Sequence, residues 1–533
     1  MYGGPDMWTA PLLLLAVPLL PAAAAVAITL FRPGENTSAR LALWSTAASA
    51  MAAMAVVALS SRETVEAVAT VADGEIAIGL AANRVGAVLA LLTMGVGLVV
   101  QSFSTRALAG DPRAPRFFAL TAVLTAATAT VATGATLILV TLAWMLSGLV
   151  LLSLLNHHEG SEPARRASRM TGRRFALGDI ALAVAAVLAA ASVGDIDVRS
   201  QEATVEAMAA TSVPLGPTDV SMLTIVALLL VIAGISRSAL VPLHGWLPAT
   251  LAAPTPVSAL LHAGVVNGAG VLLVRFAEVF GAVAVATHLA FVAGAATVVF
   301  GTGVMLTRTD VKGSLAWSTI GQMGFMVVQC AAGAFSAALF HILGHGMYKA
   351  AMFLGAGGAI TAHHRARLRP PPRSSLGRVH RMGVAALVPA VSLALAYALL
   401  DPHLSPAGHL LVMLFAWFTG FRLLTGWLAA APLGRLASTI SAAAIGVAGT
   451  VAYVGGLTTF EGYVNAAMPA DVPAAVTPQL VAGTLFGLAL MLVALRWLPG
   501  ALGLASRRRA YALLVAAGTP SRHQTQPLPW RRL

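Results

Sequence analysis

Charged residues are scarce in this sequence: they account for 10% of its 533 residues, whereas 58% are hydrophobic. A soluble protein has about a quarter of its residues charged, because charge keeps its surface in water. Cysteine is almost absent, and the single Cys330 excludes both a disulfide framework and a cysteine-based metal cluster in this chain. These shortages exclude a soluble fold and indicate a membrane protein.

The apolar residues fall into blocks of about 20, the length that an α-helix needs to cross a hydrocarbon core. The blocks predict an all-α polytopic membrane protein with about 15 transmembrane helices. They are Pro11–Phe31, Arg40–Ser60, Arg84–Phe103, Phe117–Gly134 and Thr136–Leu155, followed by others that begin near Phe175, Val220, Val257, Ala282, Asp310, Ser336, Ala385, His409, Ser438 and Gln479. The residues before the first block include Asp6 but no Lys or Arg, so the basic region of a signal peptide is missing and we expect the first span to be retained.

Arginine and acidic residues occupy alternate loops. The arginine-rich loops carry Arg32, Arg40, Arg106, Arg113, Arg116, Arg165, Arg166, Arg169, Arg173, Arg174, Arg365, Arg367, Arg369, Arg373, Arg378, Arg381 and Arg507–Arg509. The acidic loops carry Glu63, Glu66, Asp73, Glu75, Asp195, Asp197, Glu202, Glu206, Asp219, Asp401, Glu461 and Asp471. The positive-inside rule therefore predicts a cell (inner) membrane protein with its N-terminus outside and its C-terminus in the cytoplasm. The net charge of +13 is explained by this topology, so we expect no nucleic-acid partner.

The end of the chain allows two interpretations. The tail from Ser506 to Leu533 has one short apolar patch, Tyr511–Ala517, behind three arginines. It is either an amphipathic segment on the membrane surface or a disordered end, and we prefer the disordered end. The polar stretches Asn156–Arg174 and Thr361–Met382 are expected to be short cytoplasmic loops.

Proline interrupts the helical pattern inside the apolar part of the chain. Pro242, Pro248, Pro254 and Pro256 lie within 15 residues, which excludes a continuous membrane helix there. Irregular backbone at membrane depth is tolerated only where protein or a water-filled cavity covers it. The segment is either part of an ion pathway or an ordinary re-entrant loop.

Lysine is nearly absent, since 31 of the 33 basic residues are arginine and only Lys312 and Lys349 are lysine. Arginine stays protonated in proteins, whereas a desolvated lysine can exchange its proton. Lys349 follows His341 and His345 at intervals of four residues, so the three groups stack over about 12 Å of one helix face. Ionisable groups in a membrane span often form proton relays, although a metal site or structural histidines are alternatives.

Further ionisable residues lie within or beside the predicted spans. His262 follows the proline-rich segment and Arg237 precedes it, where Arg237 is either functional or a topology anchor. The others are Asp179, Asp310, Lys312 and Arg422. The doublets His157-His158 and His363-His364 lie at loop edges and are expected to be solvated.

Three segments in order resemble a known family. They are Ser236–Ala239 with Pro242–Pro248 and Ala253–Ala263, then Thr309–Lys312 with Ser318–Gly324, then the run that contains His341, His345 and Lys349. They are similar to the core of the proton-translocating subunits of respiratory complex I and Mrp antiporters, over about residues 80–430. The resemblance implies two inverted five-helix repeats containing broken helices, the first from the fourth to the eighth span and the second from the ninth to the thirteenth. It divides the chain into N-terminal transmembrane helices (1–80), a proton-conducting antiporter-like core (81–430), C-terminal transmembrane helices (431–500) and a basic cytoplasmic tail (501–533).

The same resemblance implies a proton pathway through Lys349, His345, His341, His262, Lys312, Arg237, Asp179 and Arg422. Two positions depart from the family pattern: Met145 stands where the fifth span usually has a glutamate, and Arg237 stands where a lysine is usual. Asp179 is then the nearest acid that can pair with Arg237. The first half-channel is therefore altered.

Leu243–Pro248 and Leu261–Gly268 look like one branch of the family, the DabB-type membrane subunits of DAB inorganic-carbon systems. The resemblance implies a transporter subunit rather than an enzyme, without a cofactor of its own. Its implied partner is a soluble DabA-like subunit that holds zinc in a site similar to that of β-carbonic anhydrases. Two alternatives stay open: an ion-translocating subunit of complex I, a membrane hydrogenase or an Mrp antiporter, and a non-conducting membrane scaffold.

Overall fold

The computed structural model describes residues 6–71, 76–158, 160–215, 218–358, 376–400, 402, 404–430, 434–468, 475–497 and 504–518. The His363-His364 doublet and most of the expected loop at 361–382 lie outside these ranges.

Helices, most of them long, form nearly all of the described chain. In order they are α1 Asp6–Phe31, α2 Glu35–Leu59, α3 Arg84–Ala107, α4 Ala114–Thr133, α5 Leu137–Leu155, α6 Glu162–Val193, α7 Gln201–Ala210, α8 Met222–Arg237, α9 Trp246–Ala249, α10 Thr255–Ala263, α11 Gly268–Arg275, α12 Ala277–Gly281, α13 Ala284–Met305, α14 Val311–Ala331, α15 Phe335–Leu354, α16 Arg378–Leu400, α17 Pro406–Ala430, α18 Arg435–Val464, α19 Pro478–Trp497 and α20 Leu504–Gly518. Each of the predicted apolar blocks coincides with a helix, or with the interrupted pair α10 and α11.

Eleven helices of the described residues are long and apolar enough to cross a membrane, and the chain is a multi-pass integral membrane protein. The segment Thr255–Arg275 counts as one of the eleven although its helix is interrupted. The number of about 15 crossings and the two inverted repeats stay predictions.

Two small antiparallel hairpins accompany the helices. Strands β1 (Val65–Val71) and β2 (Ile76–Ala82) pair with each other, as do β3 (Ser212–Leu215) and β4 (Thr218–Ser221). All four strands lie in connections that the charge pattern places outside the membrane. The composition did not predict them, because short strands between long apolar helices leave almost no periodic signal.

Two expected non-helical segments are helical. Helix α6 begins at Glu162, well inside the predicted loop, because Ser161 caps its N-terminus and Pro163 occupies the first turn. The tail forms α20 over Leu504–Gly518, so the preference for a disordered end was wrong for these residues. Arg308 donates a hydrogen bond to the carbonyl of Gly518 and Leu514 lies against Gly303, which together fix α20 beside α13.

Helices α13 and α14 cross at glycines. A Cβ added at Gly324 would lie 2.6 Å from the carbonyl oxygen of Gly294, and one added at Gly301 would lie 2.8 Å from the amide nitrogen of Gly321. Small residues at helix crossings let backbones approach closely in a membrane. This close packing fixes the position of α14, which carries many polar groups of the candidate site.

Candidate functional site

The proline-rich segment is irregular, as predicted, and it leads into an interrupted helix. Between α8 and α10 the chain forms only the short helix α9 and the 3₁₀ turn Thr250–Ala252. Helix α10 then ends at Ala263, and a 3₁₀ turn at Val265–Asn267 separates it from α11. The interruption falls at Gly264.

Arg237 and Asp179 form a buried ion pair. The guanidinium of Arg237 donates a hydrogen bond of 2.7 Å to Asp179 Oδ1, and the two side chains are 2% and 16% exposed. Arg237 also donates to Ser147 Oγ at 3.2 Å and to the carbonyl oxygen of Trp144 at 3.1 Å. The interpretation of Arg237 as a topology anchor is therefore wrong, because the guanidinium faces protein groups instead of the aqueous boundary.

Aromatic rings hold the guanidinium in place. Its central carbon lies 4.5 Å from the ring centre of Trp144 and 4.2 Å from that of Phe175. Trp144 Nε1 donates a hydrogen bond of 3.0 Å to the same carboxylate oxygen of Asp179 that Arg237 contacts. A Cβ at Gly268 would lie 2.7 Å from Arg237 Cγ, so the interrupted helix comes close because that residue is a glycine. The planar, stacked arrangement suits arginine and not lysine.

The three titratable groups of α15 face polar groups on α14. His341 Nδ1 lies 3.0 Å from Gln329 Oε1, and His345 Nδ1 lies 2.7 Å from Gln322 Oε1. Lys349 donates hydrogen bonds to Ser318 Oγ and to the carbonyl oxygen of Leu315. We call His341, His345 and Lys349 with these α14 partners the α15 ladder. Among the described residues no carboxylate lies within 4.0 Å of Lys349 Nζ.

His262 joins the α15 ladder from the interrupted helix. Its Nδ1 donates to Thr319 Oγ1 at 3.1 Å, since the Thr319 hydroxyl itself donates to the carbonyl oxygen of Leu315. The imidazole stacks on Phe353, with ring centres 4.2 Å apart. His345 Nε2 donates to the carbonyl oxygen of His262 at 3.2 Å. His262, His345 and Lys349 thus share one buried polar region.

The α14 partners are residues that the sequence analysis did not assign. Ser318, Thr319, Gln322 and Gln329 follow Leu315 by three, four, seven and fourteen residues, which places all five on one face of α14. The signal was present, because a polar stripe at helical spacing runs through an otherwise apolar segment. It was read only as a family motif, without roles for its side chains.

Two predicted site residues lie apart from the α15 ladder. Lys312 is half-buried in the first turn of α14, and the described structure records no hydrogen bond from its side chain. Arg422 lies on an exposed face of α17. Hence the structure assembles His262, His341, His345 and Lys349 in one place, Asp179 and Arg237 in another, and leaves Lys312 and Arg422 outside both.

A cavity of about 80 Å³ lies beside Arg237 and the helix interruption. Arg237, Trp144 and Ser147 line one part, and the helix interruption from Ala263 to Gly268 and Ile342 of α15 line another. Water occupies about 30 Å³ per molecule in the liquid, so the cavity has room for a few waters. Ser147 and Asn267 contribute polar atoms to a mostly apolar lining, so water in the cavity can reach Arg237.

Two residues that were expected to lie in solvated loops, one acid and one histidine, are buried. Glu461 was counted among the loop acids, yet it lies within α18 and is 1% exposed, with Ser336 Oγ donating to it at 2.9 Å. His157 was expected to be solvated, yet it is buried and its Nε2 lies 2.9 Å from Asp111 Oδ2. Burial acts to raise the pKa of Asp111, but the hydrogen bonds from His157 and from the Arg113 backbone N–H, together with the charge of His157, outweigh it and hold that pKa below its usual value.

The two histidines of α15 do not form a metal site with neighbouring acids. Among the residues that the structure describes, no group of three His, Cys, Asp or Glu side chains is arranged to hold a metal ion. The ring nitrogens of His341 and His345 instead face glutamine amides of α14. Each histidine is therefore held by an amide of α14.

Curated relatives fall into two named groups. The chain is 36% identical over 358 residues to the "Probable inorganic carbon transporter subunit DabB1" of Halothiobacillus neapolitanus. This alignment covers 64% of this chain and 63% of the relative. It is 36% identical over 283 residues to the "Probable inorganic carbon transporter subunit DabB" of Bacillus subtilis, covering 53% and 54%. NADH-quinone oxidoreductase subunit L of Mycobacterium tuberculosis is 31% identical over 293 residues, covering 54% of this chain and 45% of that one. The chain thus spans less than two thirds of the length of each.

Solved structures share the fold. The Mrp complex from Dietzia sp. DQ12-45-1b matches 96% of this chain and 59% of its own with a TM-score of 0.63 at 21% identity. The archaeal membrane-bound sulfane sulfur reductase matches 89% of this chain and 99% of its own, also with a TM-score of 0.63, at 18% identity.

The family model described as NADH:quinone oxidoreductase/Mrp antiporter, TM, matches residues 134–401, just over half of the chain. The matched range contains Arg237 with Asp179 as well as the whole α15 ladder. The chain therefore belongs to the NADH:quinone oxidoreductase/Mrp antiporter transmembrane family.

Proposed function

We propose that this chain is the energy-coupling membrane subunit of an inorganic-carbon uptake complex, in which it conducts protons that drive a carbonic-anhydrase-like partner. The observation that carries the proposal is the α15 ladder, in which Lys349, His345 and His341 each meet a polar group of α14 inside an apolar bundle. Ionisable side chains are costly in a membrane interior and are retained there for ion or proton movement.

The chemistry of the α15 ladder suits protons. An imidazole can bind and release a proton, and a buried lysine can exchange its proton while arginine cannot. Lys349 is the exchanging group, and His345, His341 and His262 relay. The neighbouring hydroxyls of Ser318 and Thr319 and the amide of Gln322 orient these groups.

The Arg237–Asp179 pair has a different part in this proposal. Arginine keeps its proton, so the pair is a fixed charge arrangement that tunes the gate between the cavity and the α15 ladder. Met145 is half-buried next to Trp144 and offers no carboxylate at that position. The proposal therefore requires proton movement only through the second half of the core, which contains the α15 ladder.

The names of the DabB relatives support inorganic carbon as the transported substrate, since two of them are 36% identical to this chain. We propose that the partner is a soluble, zinc-containing, DabA-like subunit, with CO₂ hydrated to bicarbonate on it in one direction. The zinc belongs to that partner, and the complex lies in the cell membrane with the N-terminus of this chain outside.

A second candidate is an ion-translocating subunit of complex I, a membrane hydrogenase or an Mrp-type antiporter. It is favoured by the 31% identity to NADH-quinone oxidoreductase subunit L and by the shared fold of the Mrp complex. In that case the same α15 ladder moves protons, but the chain sits among many membrane subunits.

The experiment that separates the candidates is a mild-detergent purification of the complex from its host, with mass spectrometry and zinc analysis of the eluate. The proposal expects one large soluble partner with bound zinc. Recovery of many membrane subunits and no zinc protein contradicts it and supports the second candidate.

A further inference from the structure

A buried carboxylate lies beyond the α15 ladder in the direction of the N-terminus of α15. Glu461 is 1% exposed and Ser336, which donates a hydrogen bond of 2.9 Å to its Oε1, is 6% exposed. Taking a carboxylate out of water into an apolar bundle is costly, and such residues in membrane spans mark ion and proton routes. The relay described so far does not use this group.

The Ser336–Glu461 contact lies farther along α15 than the titratable groups of the ladder. Ser336 precedes His341 by five residues, which is about 7.5 Å along the helix axis on the side away from Lys349. Five residues also turn the helix by about 140°, so Ser336 faces α18 and not the α14 side that His341 faces. The contact therefore lies between the ladder and the outer end of α15, on a neighbouring face.

The surroundings fix the carboxylate and leave it near the end of its helix. On the next turn of α15 the ring of Phe340 packs against Phe460, with centres 5.5 Å apart. Just beyond Glu461, the hydroxyl of Tyr463 donates to the carbonyl oxygen of Val57 at 2.8 Å, which ties α18 to α2. Since α18 ends at Val464, three residues after Glu461, the carboxylate lies within one turn of the end that the charge pattern places outside the membrane.

Two tyrosines share this region with the carboxylate. Tyr397 on α16 is within electrostatic reach of both Tyr453 and Glu461, and the Tyr453 ring lies 6.1 Å from that of Phe340. A serine hydroxyl suits proton transfer to the acid, because it accepts one hydrogen bond while it donates another. Ser336 donates to Glu461 and keeps its lone pairs for a proton donor such as water.

We propose that Glu461 is the proton-exchanging group at the outer end of the pathway. A proton that leaves the imidazolium of His341 passes through water and the Ser336 hydroxyl to the carboxylate, which becomes a carboxylic acid and releases the proton outside. The same steps run in reverse for inward movement, and charge balances because one imidazolium is neutralised as one carboxylate is protonated. This inference rests on the proposed function.

The test uses the whole complex with Glu461→Gln, Glu461→Asp and Ser336→Ala, and measures proton-driven uptake of labelled inorganic carbon. We expect Glu461→Gln to lower uptake by about tenfold or more, as loss of a proton-transfer group does. Glu461→Asp restores part of the rate, since it keeps an exchangeable carboxyl, and Ser336→Ala gives an intermediate loss. Glu206→Gln is the matched control, because Glu206 is an exposed acid on the same predicted side.

Lys349→Arg is measured in parallel to separate this inference from the proposed function. If Lys349→Arg is inactive while Glu461→Gln transports at the wild-type rate, Glu461 is not in the pathway and the proposed function stands. If both variants transport normally, the proposed function fails as well.

A chemical measurement covers the case in which Glu461→Gln does not fold. Dicyclohexylcarbodiimide, a neutral apolar reagent, modifies protonated carboxyl groups within membranes. In the wild-type complex we expect labelling of Glu461 that is faster at acidic than at neutral pH and that stops uptake. Labelling of Glu461 without loss of uptake, or no labelling at any pH at which the complex is folded, overturns the inference.

Discussion

Arg237 and Asp179 lie on neighbouring helices, 58 residues apart in sequence, with 2.7 Å between the guanidinium nitrogen and the carboxylate oxygen. Trp144 contacts both of them, through its ring face to Arg237 and its indole nitrogen to Asp179. The three residues connect α5, α6 and α8 at one point. The contact is more than a pair of charges, because each group has further hydrogen bonds that position it.

The first prediction concerns the energy of this pair. Removing one partner leaves a buried charge alone, so we expect Asp179→Asn and Arg237→Met each to destabilise the protein by about 3 kcal/mol. The double variant removes both charges and is expected to recover much of that loss. Thermal unfolding of the purified protein in detergent, analysed as a double-mutant cycle, measures the coupling.

Glu162 and Arg169 provide the matched control for this cycle. Their side chains are 61% and 62% exposed although the atoms are 2.8 Å apart. Exposed pairs contribute less than about 1 kcal/mol, so their cycle gives a small coupling. Equal coupling energies in the two cycles contradict the view that burial makes the Arg237–Asp179 pair a structural element.

The second prediction concerns Lys349. Lys349→Arg keeps the charge but removes the ability to give up the proton, so we expect uptake of inorganic carbon to fall by about 100-fold. Lys349→Met, which is uncharged and similar in length, gives the same loss. Tyr348→Phe keeps the ring beside the ammonium and is expected to be neutral, because Tyr348 is 54% exposed. Full uptake by the arginine variant refutes proton exchange at this position.

The third prediction concerns Gln322, which the sequence analysis left without a role. Gln322→Leu removes the group that faces His345 Nδ1 and is expected to slow uptake by about tenfold. Gln322→Glu also slows it, because a carboxylate holds the proton on the imidazole. The control is Gln101→Leu, since Gln101 is also buried and accepts a hydrogen bond from Thr46 but lies outside the α15 ladder. If uptake by both Gln322 variants has the wild-type rate and the wild-type dependence on pH, a relay through His345 is contradicted.

The fourth prediction concerns the loop pair of Asp111 and His157. Asp111 has a lowered pKa, so its contribution to stability is present above its ordinary value of 3.8 and is lost as pH falls through the lower folded-state value. Asp111→Asn is therefore expected to destabilise the protein by about 1 kcal/mol at neutral pH. Because the Asp111 carboxyl stays ionised, the loss of stability in Asp111→Asn is expected to stay constant from neutral pH to mildly acidic pH. Thermal unfolding as a function of pH checks this, and a deficit that grows on acidification contradicts the assignment.

Helix positions were readable from the sequence because each apolar block is about as long as a membrane is thick. The spacing of His341, His345 and Lys349 is likewise enough to place the three residues on one face of a helix. Partner residues on α14 were harder to assign, since a glutamine or serine at helical spacing does not say which neighbour it meets. The packing of α14 against α15 on one side and against the α13 glycines on the other is visible only in the three-dimensional structure.

Charged residues at the ends of helices were harder to place. Glu461 fitted the alternating charge pattern as a loop acid, yet α18 extends to Val464 and Ser336 covers the carboxylate. A charge count per loop does not distinguish an acid in water from one turned inward a single turn earlier. Arg422 shows the opposite case: its place within an apolar block indicated burial, but the residue is exposed on α17.

The position of His345 between a backbone carbonyl and a glutamine amide has a consequence for Gln322. A carbonyl oxygen only accepts, so Nε2 of His345 keeps its hydrogen in the contact with His262. When the ring is an imidazolium, Nδ1 also carries hydrogen and meets the amide oxygen of Gln322. When the ring is neutral, Nδ1 has a lone pair and the amide must present its NH₂ group instead. If His345 relays protons as proposed, each change in its charge therefore rotates the Gln322 amide by half a turn, and the amide's infrared band records the charge on the ring.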